Sequence, residues 1–267
     1  MDRDLVDPEA APVNGEAHLA SVARYQLPFG TAAAIEAALA ATGLGVCVVW
    51  AWRDGGFAPE EWLPGGLLVL ALLCTAAASS DVRARLRTHP LPLILFGLYV
   101  AWSYLSIIWA QTPGDTLDGA NRTLVYLLVF ALFCGLGIGE RLGAMLVLAW
   151  GCALAVLGLV ALGQAARAAR PAGHFVLGRL AAPISYPDGD AALFLIACLP
   201  LLVLSSRRDA HPIVRVAAGT TAVVLADLAV LCQSRGSLFA LPCALVLYLA
   251  VAALERLTLR WVPSTSE

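Results

Sequence analysis

The sequence predicts an all-α polytopic membrane helix bundle with about eight transmembrane helices and a cytoplasmic N-terminus. Hydrophobic residues make up 60% of the 267 positions and charged residues only 13%, and the mean hydropathy is +0.80. Soluble domains contain about 45–50% apolar residues, because their surface needs more polar groups than this chain has. A bundle surrounded by lipid has no such requirement, so we expect the protein to lie in a lipid bilayer.

Eight apolar stretches follow one another after a polar N-terminal segment. A helix needs about 20 residues to cross the hydrocarbon core, and each stretch is close to this length. Backbone groups in lipid must find their hydrogen bonds within the protein, which favours helices over isolated strands. The stretches cover approximately residues 31–52, 63–80, 91–111, 123–139, 142–163, 190–206, 213–233 and 236–255.

These stretches divide the chain into three parts. Residues 1–30 are rich in acidic residues, Pro, Ala and Gly, and they are predicted to form a cytoplasmic polar tail. Residues 31–255 are predicted to form the transmembrane helical domain, and residues 256–267 a cytoplasmic C-terminal tail. The sequence shows no internal repeat and no segment typical of a second, soluble domain.

The placement of arginine predicts the orientation. All 17 basic residues are arginine. If the N-terminal tail is inside, eleven of them lie in cytoplasmic segments and six in outer segments, which is the bias of the positive-inside rule. Because the arginines are scattered among apolar segments, we expect no nucleic-acid partner. The outer arginines are Arg53, Arg122, Arg167, Arg170, Arg179 and Arg235.

The cysteines do not predict a metal or redox site. The chain has seven, all inside apolar stretches, and none forms a C-x-x-C pair or clusters with histidine. Zinc and redox sites usually show such spacing. We therefore expect the cysteines to be small packing residues, and we expect no metal and no cofactor.

Arg235 is the first candidate site residue, because an ionisable side chain next to lipid is costly and is often functional. It lies in a short turn, residues 233–237, between two apolar stretches, and so at the outer membrane face or slightly below it. Gly236 permits a tight backbone, and the neighbouring amides and hydroxyls are suited to an anion. The alternative is an arginine that extends to the lipid headgroups. Asp227 lies about two turns earlier on the same predicted helix, as an ion-pair partner, a cavity residue or part of a proton relay.

Arg122 and Arg179 are further candidates on the outer side. Arg122 opens the predicted fourth helix. Because helix N-termini favour anions, we expect this arginine to interact with another charged group. Arg179 lies in a loop that contains Gly178, Pro183 and Pro187. Irregular backbone at a membrane is tolerated where it packs in protein or lines a wet cavity. The alternatives are an arginine that reaches the headgroups and an ordinary surface loop.

Three stretches together resemble the bacterial O-antigen ligase and polysaccharide polymerase superfamily. The first covers residues 102–122, with the motifs Trp-Ser, Ile-Ile-Trp-Ala and Thr-Leu-Asp-Gly before the arginine. The second covers residues 178–193, with Gly-Arg-Leu and Pro-Ile-Ser-Tyr-Pro, and the third is Gln-Ser-Arg-Gly-Ser-Leu at residues 233–238. The similarity extends over roughly residues 91–255 and depends on the order and spacing of these motifs.

The resemblance implies glycan transfer at the outer face of the bacterial cytoplasmic (inner) membrane, from an undecaprenyl-pyrophosphate-linked donor and without a metal ion. Attack on the anomeric carbon then releases a lipid pyrophosphate, whose growing negative charge arginine can stabilise. The pyrophosphate-binding residues implied are Arg235, Arg179 and Arg122, and the supporting residues are Ser234, Gly236, Asp227 and Tyr186.

The sequence departs from the superfamily pattern in two ways. Members usually continue with a large extracytoplasmic loop that carries a histidine used in transfer, whereas this sequence stops at Glu267, and Asp188 stands where many relatives have Asn. The expectation is therefore a piece of a longer protein or a shortened relative, catalytically incomplete. Whether it is an enzyme on its own, and which residue would be catalytic, stays open.

Two other functions stay open. A transporter of a small anion or a lipid-linked sugar would use Arg235 and Asp227 along its path, and it would show flux into sealed vesicles without chemical change. A non-catalytic membrane subunit would have a membrane-protein partner that supplies the catalytic loop, and the two would co-purify.

Overall fold

The computed structural model describes residues 31–88, 90–168 and 174–261. The predicted N-terminal tail and residues 262–267 lie outside the described residues. The described chain is almost entirely helical, which confirms the all-α prediction. Its α-helices are α1 (Thr31–Trp52), α2 (Pro59–Ala77), α3 (Ser80–Thr88), α4 (Pro90–Leu105), α5 (Pro113–Gly135), α6 (Glu140–Arg167), α7 (Pro187–Ser206), α8 (Pro212–Leu231) and α9 (Arg235–Trp261). A 3₁₀ helix (Ser106–Trp109) extends α4, and the strands β1 (Phe175–Val176) and β2 (Arg179–Leu180) form an antiparallel hairpin.

Seven of the described helices are long and apolar enough to cross a membrane, namely α1, α2, α4 with its 3₁₀ extension, α5, α6, α7 and α8. The eighth predicted stretch corresponds to α9, whose apolar part covers Arg235–Val251. Large apolar side chains point away from the bundle, as a surface in contact with lipid requires; Leu98 and Ile196 are examples. The protein is therefore a multi-pass helix bundle, as predicted.

The start of α5 differs from the prediction. The helix begins at Pro113, about ten residues before the apolar stretch, with Asp115 in its first turn. Proline is favoured at the first helical position and acidic groups are favoured near a helix N-terminus, so this polar segment can begin a helix before the chain becomes apolar. Arg122 consequently lies inside α5 and does not open the helix.

The connection between α8 and α9 also corrects a prediction. Helix α8 ends at Leu231 and α9 begins at Arg235, with Gln233 at φ 49° between them. Asp227 and Arg235 therefore lie on different helices and not on one. At its other end α9 continues to Trp261, beyond the predicted boundary at residue 255.

Two hydrophobic clusters hold the bundle together. One is formed mainly by α6, α7 and α8, and the other by α1, α2, α3 and α5. Gly158 of α6 shows how closely the first group packs, because a Cβ atom there would lie 2.5 Å from Leu228 of α8 and 3.2 Å from Phe194 of α7. Small residues at helix interfaces allow this close approach in membrane proteins.

Charged side chains join distant segments at the end of the bundle predicted to be cytoplasmic. Arg85 of α3 pairs with Glu36 of α1 and donates from Nε to the carbonyl oxygen of Gly135 at 2.7 Å. The other carboxylate oxygen of Glu36 accepts a hydrogen bond from the amide of Gly137 at 2.5 Å. These contacts fasten the start of α1 to α3 and to the α5–α6 connection.

A second charged group lies at the same end, after α7. Arg207 bridges Asp209 and Glu140, with N–O distances of 2.6 and 2.9 Å. Its hydrogen bond to Asp209 holds the pKa of that exposed carboxyl below the ordinary value.

The opposite end gathers the segments predicted to lie outside. Ser185 donates a hydrogen bond to Asp54 at 2.7 Å, which joins the loop before α7 to the loop after α1. The guanidinium carbon of Arg122 lies 4.9 Å from the ring centroid of Phe57 in the α1–α2 loop. The described loops thus fall into the same two groups that the arginine count gives, while the direction of the bundle in the membrane stays a prediction.

We expect Arg85→Ala to lower the free energy of unfolding by about 1–3 kcal/mol, because it leaves the Glu36 carboxylate without its charged partner. Thermal unfolding of the purified protein in detergent, followed by size-exclusion elution after heating, measures the change. Arg87→Ala is the matched control, because Arg87 is exposed on the same helix. Equal melting temperatures for the two variants would contradict a structural role of the Arg85–Glu36 pair.

Candidate functional site

A polar cleft lies at the predicted outer end, where the hairpin, the start of α7 and the α8–α9 turn meet. Its volume is about 620 Å³ and it is open to the surroundings. Its character differs from that of the groove between α7 and α9, which has a volume of about 360 Å³ and is mainly apolar. Within the described part of the chain, the polar cleft is lined by Arg179, Asp188, Gln233, Ser234, Arg235, Gly236 and Ser237.

Arg179 joins three segments at the base of this cleft. It lies on β2, directly after a tight turn in which Leu177 and Gly178 both have positive φ, 52° and 76°. Its Nε donates to the carbonyl oxygen of Cys232 at 3.0 Å, and its Nη2 donates to Asp188 at 2.5 Å. The guanidinium group therefore connects the hairpin, the first turn of α7 and the end of α8.

The first turn of α7 supplies two carboxylates, one in the cleft and one fully buried. Asp188 lies in the cleft, between Arg179 and the hydroxyl of Ser234. Asp190 is fully buried, and its Oδ1 accepts a hydrogen bond from the amide of Ile184 at 2.8 Å. Both positions are favourable for an acidic group, because the helix N-terminus is the positive end of the helix dipole. Asp190 fixes the loop that precedes α7, whereas Asp188 shapes the cleft itself.

The start of α9 forms the opposite wall. Ser234 is the N-cap residue of this helix, since its Oγ accepts a hydrogen bond from the amide of Ser237 at 3.3 Å. Arg235, the next residue, is exposed and lines the cleft. Among the described residues, its guanidinium group has no hydrogen-bond or ion-pair partner. Arg235 is thus available to a ligand, whereas Arg179 is already bound to the protein.

The charges in the cleft favour an anion. The described lining contains two arginines and one aspartate, which leaves a formal charge of +1. The Arg179–Asp188 pair neutralises itself, so the excess charge is that of Arg235. The first amides of α9 add partial positive charge at the same place, because helix N-termini carry unsatisfied N–H groups.

Cys232 contributes a carbonyl group but no reactive thiol. Burial raises the pKa of its thiol to about 12. The thiol is therefore neutral at physiological pH, and only the thiolate is a nucleophile or a metal ligand. Within the described residues, no group of three or more His, Cys, Asp or Glu side chains is arranged to hold a metal ion.

Arg122 lies apart from the polar cleft. It lines a separate cavity with aromatic residues, and its Nη2 pairs with Asp118, one turn earlier on α5, at 2.5 Å. The structure thus brings two of the three implied pyrophosphate-binding residues, Arg179 and Arg235, to one opening and places the third, Arg122, at another. The partner charge that Arg122 was expected to need is that of Asp118.

Of the four predicted supporting residues, two line the polar cleft and two lie outside its described lining. Ser234 and Gly236 line the polar cleft. Tyr186 precedes α7 and is 60% exposed, outside the described lining of the cleft. Asp227 is exposed near the end of α8 and is also outside that lining. Sequence reasoning did not assign Asp188 to the site, although an acidic residue directly after a helix-starting proline is a recognisable signal.

We expect Arg179→Ala to lower the free energy of unfolding by about 1–3 kcal/mol, because Asp188 and the Cys232 carbonyl both lose their donor. Arg179→Lys should recover part of the loss, since lysine presents one ammonium group and not a planar fork. Arg235→Ala is the matched control and should unfold like the wild type. Thermal unfolding in detergent measures all three variants, and a destabilised Arg235→Ala would argue against a free guanidinium group.

Comparison of the chain with models of protein families, with curated proteins and with solved structures gave no match.

Proposed function

We propose that this protein binds the pyrophosphate group of a polyprenyl-linked glycan in the polar cleft, and that it serves glycan transfer at the extracytoplasmic face of a bacterial inner membrane. The proposal rests on one observation above all, that Arg179 and Arg235 line the same open, polar cleft. Both arginines come from the stretches that resemble the O-antigen ligase and polysaccharide polymerase superfamily.

The division of work between the two arginines supports this function. Arg179 is held by Asp188 and by the Cys232 carbonyl oxygen, so it gives the cleft its shape. Arg235 carries the excess charge, and its guanidinium N–H groups have no acceptor among the described residues. A guanidinium group of this kind can bind two oxygens of a phosphate group at once. Arg235 is therefore the main pyrophosphate ligand in the proposed complex.

The chemistry of the proposed reaction needs positive charge at this place. As the acceptor oxygen bonds to the anomeric carbon, the bond from that carbon to the pyrophosphate oxygen breaks, and its electron pair moves to the leaving group. Donors that are fixed in advance around the leaving group stabilise this growing charge in the transition state. Arg235 and the first amides of α9 are such donors.

The surroundings of the cleft suit a ligand that is half lipid. Further along α9 from the cleft, large apolar side chains are exposed, among them Phe239 and Val246, which are 75% and 66% exposed. In a bilayer this surface contacts lipid tails. A polyprenyl chain could therefore stay in the membrane while its charged headgroup enters the cleft.

We expect Arg235→Ala to weaken the binding of undecaprenyl pyrophosphate by at least about tenfold, because a charge-assisted hydrogen bond contributes roughly 1.5–3 kcal/mol. Binding is measured in nanodiscs that contain the full chain, with undecaprenol as the ligand that lacks phosphate. This measurement tests the site even where transfer does not occur. Arg235→Lys should bind with intermediate strength.

The matched control is Arg53→Ala, which removes an exposed arginine at the same end of the bundle but outside the described lining of the cleft. Its affinity should equal that of the wild type. Wild-type affinity in Arg235→Ala, or equal binding of undecaprenol and undecaprenyl pyrophosphate, would refute the proposed function.

A further inference from the structure

A second, much smaller cavity lies at the same end of the bundle, between the α1–α2 connection and α5. Its volume is about 20 Å³, which is enough for about one oxygen-sized atom with its contacts. The inference drawn from this cavity does not depend on the proposed function. Within the described part of the chain, this cavity is lined by Trp50, Gly55, Gly56, Trp62, Arg122, Val125 and Tyr126.

Two buried N–H groups of this lining lack an acceptor. These are the indole Nε1 of Trp62 and the Nε of Arg122, for which the described residues offer no hydrogen-bond partner. Trp62 is only 6% exposed, so its indole has little access to solvent. Buried donors are almost always paired, because an unpaired one keeps the full cost of its desolvation. Trp62 and Arg122 both line the same small cavity, and their two unpaired donors indicate an occupant that accepts hydrogen bonds.

The remaining contacts of Arg122 fix its position. Its Nη2 pairs with Asp118 at 2.5 Å, and the guanidinium group lies over the ring of Phe57. The pair with Asp118 neutralises the arginine, so this cavity has no excess charge, in contrast to the polar cleft. An occupant is therefore recognised by hydrogen bonds from fixed N–H groups more than by net charge.

The chemistry and the location together define the occupant. An atom that accepts from two N–H donors and needs no donor of its own is typical of a phosphate oxygen. Aromatic residues such as Trp50, Trp62 and Tyr126 are enriched at the level of the lipid headgroups. We infer that this cavity binds one phosphate oxygen of a lipid headgroup, held by Trp62 Nε1 and Arg122 Nε.

The test compares lipids that differ in the phosphate group. Purified full-length protein is titrated in detergent with phosphatidylglycerol, phosphatidylcholine and diacylglycerol of the same acyl chains, and bound lipid is measured by native mass spectrometry. We expect both phospholipids to bind, since recognition does not need net charge, and diacylglycerol not to bind. Trp62→Phe keeps the ring and removes the N–H group, and it should weaken phospholipid binding at least about tenfold.

Two further variants make the result specific. Arg122→Lys removes the Nε donor and keeps a charge for Asp118, and it should weaken binding in the same way. It also provides the test if Trp62→Phe unfolds. Trp52→Phe is the matched control, because Trp52 lies at the same end but is 50% exposed and outside the described lining. Arg53→Ala, which removes an exposed arginine at the same end but outside the described linings of both this cavity and the polar cleft, should also bind phospholipid like the wild type.

A third arm with undecaprenyl pyrophosphate identifies the source of the phosphate. Phospholipid binding that Trp62→Phe weakens supports a site for bulk headgroups. Weakening confined to undecaprenyl pyrophosphate supports a phosphate site that takes the carrier lipid. Unchanged binding of every lipid in Trp62→Phe and in Arg122→Lys would overturn the inference and leave a cavity that holds water alone.

Discussion

One junction at the predicted outer end of the bundle depends on the hydrogen bonds of the Arg179 guanidinium group. A charge at the edge of a membrane is tolerated when its donors meet acceptors, and here the acceptors are Asp188 and the backbone carbonyl of Cys232. These groups belong to the start of α7 and the end of α8, which are far apart in the sequence. Because Arg179 lies on the short β-hairpin, the hairpin is held against both helices, and the polar cleft forms above this junction.

The two ends of the bundle use charge differently. At the predicted cytoplasmic end, Arg85 and Arg207 both have acidic partners, so their charges serve to fasten helices. At the predicted outer end, Arg122 and Arg179 are paired as well, whereas Arg235 has no partner among the described contacts and lines the polar cleft. A fastening role therefore explains the paired arginines, whereas Arg235 is exposed in the polar cleft and is the residue that we propose binds a ligand. This contrast is the basis for treating one outer arginine as functional and another as structural.

The sequence predicted the bundle well because lipid imposes a simple rule on helix length and composition. It predicted the ends of the helices less well. The start of α5 is polar, so hydropathy cannot detect it, although the proline and the acidic residue in its first turn are signals for a helix start. The break between α8 and α9 was predicted as a short turn at residues 233–237, and it lies slightly earlier, at residues 232–234. Its turn residue with positive φ is Gln233, whereas glycine or asparagine would have indicated such a turn.

The candidate site was predictable only in part, for a related reason. Ionisable residues near lipid stand out in a sequence, so Arg122, Arg179 and Arg235 could be selected by residue type and position. The i,i+4 spacing of Arg122 and Asp118 is visible in the sequence, whereas the partners of Arg179 depend on which helix ends meet in three dimensions. The backbone carbonyl of Cys232 has no sequence signal at all, and the orphan donor of Trp62 is visible only once its burial is known.

The Glu36 contacts at the other end have a consequence for the order in which this protein can assemble. Its carboxylate meets Arg85, 49 residues later, and the amide of Gly137, 101 residues later. Since chains are made and inserted from the N-terminus, α1 enters the bilayer long before either partner exists. The carboxylate must first rely on water at the membrane edge, next on the arginine of α3, and only after the α5–α6 connection has been synthesised on both. The segments that contact Glu36 can therefore be fastened to α1 only after the α5–α6 connection has left the ribosome.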